Sequence, residues 1–166
     1  FYSRSLMAEH MQYRQALAQS TARDFKQLLL EKVKTALTMA NTPLLKQVLA
    51  ESNRFYGRLS AADRQETITR LDDRWRENPA ENDPFVRLYT DNPVAEYLKQ
   101  QQASLQEEYG EIFLTNRYGA LTASTAKLTT FAHGQKYWWQ GAFQEGQGAV
   151  YFDDRGYDAS VQGYVL

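Results

Sequence analysis

The chain has 166 residues, is 43% hydrophobic and 13% aromatic, and carries a net charge of −1 from 19 basic and 20 acidic residues. That composition supports a packed core and excludes a disordered chain. The balanced charge gives no basic face for nucleic acid, and the absence of cysteine excludes disulfides, thiol catalysis and thiolate-bound metals.

Lack of cysteine also suits an oxidising compartment. The charge is uneven: residues 1–50 hold seven basic side chains against three acidic ones, so the remainder is acidic. No run approaches the ~18–20 apolar residues that span a bilayer. The sequence opens at Phe1 without a signal-peptide pattern and stops inside the apolar run "GYVL". Both ends read as cut, so a longer parent protein is expected.

Residues 3–40 read as one long helix. Leu6, His10, Arg14, Leu17, Thr21, Phe25, Leu29, Val33, Leu37 and Ala40 recur at steps of three or four, the spacing of one helical face. At ~1.5 Å per residue such a helix exceeds ~50 Å, longer than a compact domain of this size needs. Two arrangements stay open: a projecting helix that pairs with a second copy, or one lying along its own domain.

"NTP" at 41–43 breaks and restarts the chain, with Pro43 at the first helical position. A short apolar helix follows and fades at Tyr56-Gly57. "SAAD" at 60–63 has capping-box spacing. The next helix carries Ile68, Leu71 and Trp75 and ends in the acidic loop "ENPAENDP". "FVRLYT" fits either a strand or a helical turn. Asn92 and Pro93 then open a helix that Gly110 terminates.

Beyond residue 110 the pattern becomes strand-like. "EIFLT" (111–115) and "ALTAS" (120–124) flank the turn "NRYG", where Gly119 supplies a positive φ. The aromatic stretch "KYWWQGAF" suits a short helix closing near Gly146. "GAVYFDD" (148–154) reads as a third strand, "RGYDAS" as a turn and "VQGYVL" as a fourth strand. The expectation is α+β: residues 1–40 a long N-terminal helix able to dimerise, 41–110 a helical region, and 111–166 an antiparallel sheet module with at least one strand missing.

Catalytic patterns are missing. The two histidines, His10 and His133, are far apart in sequence, and no nucleophile elbow, P-loop, dinucleotide fingerprint or H-E-x-x-H occurs. Asp72-Asp73 reads as a solvated pair on the charged side of a helix. Asp153 and Asp154 are adjacent on a predicted strand and point to opposite faces. No enzyme activity, cofactor or metal is expected.

Binding is better served. Phe131, Lys136, Trp138, Trp139, Tyr151, Asp153, Tyr157 and Asp158 supply the apolar walls and few placed charges of a small-molecule pocket. A lysine facing an acid across it suits a carboxylate or a zwitterion. The same aromatics also suit a core between helix and sheet.

The order "EIFLTNRYGALTAST", "KYWWQGAF", "GAVYFDDRGYDASVQGYVL" resembles the membrane-distal, PAS-like module of the Cache family. These are extracytoplasmic sensor domains of bacterial histidine kinases, chemoreceptors and cyclases. The resemblance covers about a third of the chain by motif. The long N-terminal helix extends it loosely, since in that family such a helix rises from a transmembrane segment and pairs in dimers. Amino-acid-binding members carry Tyr, four residues, Arg, one residue, Trp and Tyr, then a later Tyr-x-Asp. The matching positions here are Phe131, Lys136, Trp138, Trp139, Gly156 and Asp158. Lysine keeps the charge of the arginine but not its bidentate fork. The resemblance implies a periplasmic, dimeric, ligand-sensing domain anchored to the inner membrane through its parent. The other reading is a ligand-free dimerisation module with a coiled-coil N-terminal helix.

Overall fold

The computed structural model describes residues 2–77, 80–105, 109–153, 156–158 and 163–165. The order is α1 (Tyr2–Ala40), α2 (Pro43–Gly57), α3 (Ala61–Glu77), α4 (Pro84–Thr90), α5 (Pro93–Ser104), β1 (Phe113–Thr115), β2 (Leu121–Ser124), α6 (Tyr137–Phe143), a 3₁₀ turn at Gln144–Gly146, β3 (Gly156–Asp158) and β4 (Gly163–Val165). The organisation is α+β, mostly helical, with short antiparallel strands. Residues 1–42 form one compact unit and residues 43–166 another.

The first unit is α1, a helix of 39 residues and about 58 Å. Its apolar residues are largely uncovered. Leu6, Met11, Leu17, Phe25 and Leu37 are between 48% and 69% exposed, and four of them lie on the stripe predicted from spacing.

In the second unit, side chains cap the helices. The Asp63 amide donates to the Ser60 hydroxyl (3.1 Å), and that hydroxyl donates to the Asp63 carboxylate (2.7 Å). Asp83 accepts the amides of Phe85 and Val86, and Pro84 follows it. This polar cap followed by proline makes "FVRLYT" a helix rather than a strand. Asn92 and Pro93 repeat the device for α5. That helix ends at Ser104, not near Gly110 as its spacing predicts.

Strand β1 pairs antiparallel with β2 (Phe113 opposite Ser124), with an irregularity between Leu114 and Thr115. Residues 131–133 lie along the other side of β2. The Leu121 amide donates to the Phe131 carbonyl (3.1 Å) and the His133 amide to the Gly119 carbonyl (2.7 Å). β3 pairs with β4 in a separate two-stranded sheet, Tyr157 opposite Tyr164.

Two predictions fail here. Residues 148–153 form no strand, because the segment starts with two amides bonded to α6. The Gly148 amide donates to the Phe143 carbonyl (3.1 Å) and the Ala149 amide to the Ala142 carbonyl (2.7 Å). The segment "RGYDAS", expected as a turn, instead contains β3.

The main core gathers Trp75, Phe85, Val86, Leu121 and Phe131. A second cluster joins Leu45, Val94, Ala95 and Leu98 to Ala123. The rings of Trp75, Phe85, Tyr89 and Phe131 meet mostly edge to face, 5.0 to 6.2 Å apart, an arrangement their quadrupoles favour. The Trp75 indole donates to the Leu128 carbonyl (2.7 Å).

Asp72 corrects another expectation. It is not solvated but 7% exposed. Its carboxylate accepts the amides of Phe131 (2.7 Å) and Ala132 (3.0 Å), and Arg76 pairs with it at 2.5 Å. At the hairpin, Asn116 is buried, accepts the amides of Tyr118 and Ala120, and donates to the Ser52 hydroxyl (3.0 Å). The sheet is thus bolted to α2 and α3 by side chains.

Candidate functional site

Helix α6 positions the predicted site residues, and its three successive ring-bearing residues project in different directions. A residue step turns a helix by ~100°, so Tyr137, Trp138 and Trp139 cannot share one face.

Trp138 lies against the sheet. Its ring centroid is 6.1 Å from Phe113 and 5.6 Å from His133, while Phe113 and His133 stack at 4.9 Å. Lys136 places its ammonium 5.8 Å from the Trp138 ring centroid, within cation–π range. The Trp139 indole donates to the Thr115 hydroxyl of β1 (2.8 Å), and its ring stacks on Phe143 at 4.6 Å.

Tyr137 faces the returning segment and donates its hydroxyl hydrogen to Asp153. One turn on, Gly141 makes room for Tyr151: a Cβ there would come within 2.6 Å of the tyrosine ring. Residues 148–153 therefore form a strap over α6, held by two backbone hydrogen bonds, one ring seat and one side-chain hydrogen bond.

The structure sorts the predicted residues accordingly. Lys136 and Trp138 meet at the sheet, with Trp139 one residue on. Tyr151 and Asp153 belong to the strap on another face of α6. Phe131 is fully buried among Trp75 and Tyr89. Tyr157 and Asp158 belong to β3, and their side chains lie outside the described residues, as does Asp154.

His133, Phe113 and Thr115 belong to this cluster and carry no pattern in the sequence that marks them. His133 is only 3% exposed, and among the described residues neither ring nitrogen meets a hydrogen-bond partner. The hydroxyl of Thr130 is likewise buried and unpartnered. Burial first, and the Lys136 charge second, push the His133 pKa down to about 4; Asp72 pulls it the other way. The Thr130 carbonyl also pulls it upward, yet lies outside hydrogen-bonding geometry. The imidazole is therefore neutral at pH 7, presenting one donor and one acceptor.

None of the side chains of α6 is fully buried, and Lys136 at its start makes no capping hydrogen bond. Gln144 and Glu145 follow with φ of 44° and 55°, a region that costs non-glycine residues energy. The surface under this helix is aromatic, with Lys136 and Thr115 as its polar neighbours. Among the described residues no cluster of His, Asp or Glu could hold a metal, and no helix is long and apolar enough to cross a membrane. The chain matches no family model, no curated protein and no solved structure.

Proposed function

We propose that this chain is the extracytoplasmic ligand-sensing region of a bacterial transmembrane receptor, with a PAS-like Cache module that binds a small molecule under α6. The parent is a sensor histidine kinase or chemoreceptor of the inner membrane, and this periplasmic part is not itself an enzyme. The observation that carries the reading is the Phe113–His133–Trp138 cluster with Lys136 beside it, under a helix with no buried side chain. A ligand there, a small carboxylate or amino-acid-like compound, shifts the balance between two positions of the cover. Such signalling requires different affinity for the two states. The exposed stripe on α1 supports pairing with a second copy, and the long helix then carries the bias toward the membrane.

A second reading, a ligand-free dimerisation module, is favoured by Phe131 sitting in the core. A thermal-shift screen of L-amino acids and small carboxylates separates the two. The sensor reading expects at least one compound to raise Tm, and Lys136→Ala and Trp138→Ala to remove that response. A wild-type protein unmoved by every compound favours the dimerisation module.

A further inference from the structure

The Phe113–His133–Trp138 cluster holds a polar group that meets no hydrogen-bond partner among the described residues. A buried imidazole normally finds a partner for both nitrogens, and leaving them unpaired is costly. His133 is only 3% exposed and, among the described residues, pairs neither. Phe113 and Trp138 flank its ring, and Lys136 stands nearby as a cation.

Resting on the sensor reading above, we infer that His133 is the specificity-determining residue of the site, and that it selects a short 2-hydroxy carboxylate. The chemistry follows from the inventory of groups. The carboxylate goes to Lys136, a point charge that tolerates one oxygen at a time. A neutral imidazole offers one donor and one acceptor in diverging directions, and a hydroxyl can meet either of them, donating to the bare nitrogen where a carboxylate cannot. An unsubstituted carboxylate can accept from the imidazole N–H but has no proton to donate to the bare nitrogen. An amino acid brings an ammonium, which has no lone pair for the imidazole N–H and is repelled by Lys136. Entry requires α6 to swing away, carrying Trp138 with it, and the left-handed backbone at Gln144 and Glu145 marks where it bends.

Three probes on one carbon frame test this by isothermal titration calorimetry: lactate, propionate and alanine. Wild-type protein is expected to bind lactate at least ~tenfold more tightly than propionate or alanine. His133→Leu should bind lactate and propionate alike. If His133→Leu fails to fold, imidazole NMR of the wild type serves instead, since the chain has only two histidines. Lactate should then shift the His133 ring resonances and propionate should not. Equal binding of lactate and propionate by wild type, or a lactate preference retained in His133→Leu, overturns the inference and leaves the sensor reading intact. So does lactate that binds without moving the His133 resonances, or a site that takes alanine but neither acid. If the screen above finds no stabilising compound and none of these three binds, both fall together.

Discussion

Asp72 on α3 holds Phe131, 59 residues further along the chain, by accepting its backbone N–H at 2.7 Å. The same oxygen takes the Ala132 amide at 3.0 Å. The segment that leads into the candidate site is thus anchored by a helix carboxylate, not by sheet pairing alone. Hydrogen bonds to a charged acceptor are among the stronger ones, and truncation leaves the donors buried and unpaired. Asp72→Ala should cost about 2–4 kcal/mol in urea unfolding. Asp72→Asn, which keeps one acceptor oxygen, should cost less. Wild-type stability in Asp72→Ala would show that the anchor contributes nothing.

The His133 imidazole makes stability pH-dependent. Its pKa is 6.5 in the ordinary case and about 4 in the fold. Between those values the unfolded chain binds more protons than the folded one, so stability rises with pH. The contribution is fully present above pH ~6.5 and is lost as the pH falls toward ~4, amounting to ~3 kcal/mol. Denaturation midpoints of wild type and His133→Leu, compared at several pH values, isolate it from the carboxylates. The difference between the two proteins should change across this window; a constant difference would show that His133 is not buried neutral.

Gly119 sits at φ +76°, and a Cβ there would stand 2.2 Å from the Gly134 nitrogen. Backbone cannot give way as a flexible side chain does. Gly119→Ala should therefore destabilise by at least ~2 kcal/mol, whereas Gly148→Ala, whose added Cβ meets nothing within 4 Å, pays only the cost of its own φ of +74°. Thermal unfolding of the two variants should rank them in that order.

The α1 stripe makes a prediction about assembly. Leu17 and Phe25 are 54% and 48% exposed. In a helix pair they are buried, and charges in their place are costly. Leu17→Glu combined with Phe25→Glu should shift a dimer toward monomer in sedimentation velocity, with the circular dichroism otherwise retained. Identical sedimentation of both proteins would place the contact elsewhere.

Local signals in the sequence marked most of the helices. Proline after a capping residue marked α2 and α5, apolar spacing marked α1 and α3, and "FVRLYT" stayed open between strand and helical turn until the Asp83 cap made it α4. Periodicity was silent about partners, and the failures share that cause. "GAVYF" has strand composition, yet its first two amides, of Gly148 and Ala149, meet α6 carbonyls. Asp72 looked solvated beside Asp73 because the amides it accepts lie some sixty residues away. Lys136, Trp138 and Trp139 were legible as an aromatic, charged cluster. His133 was not, because an orphaned nitrogen is defined by what surrounds it in space.

The bond from the Trp75 indole to the Leu128 carbonyl spans 53 residues. At about 5–20 residues per second, that carbonyl leaves the ribosome roughly 3–10 s after the tryptophan. During that interval α3 presents a bare indole and an unanchored carboxylate to the surrounding solution. A nascent chain of this protein therefore passes through a window in which a chaperone or a membrane surface can claim Trp75, and rare codons between 76 and 128 would lengthen it.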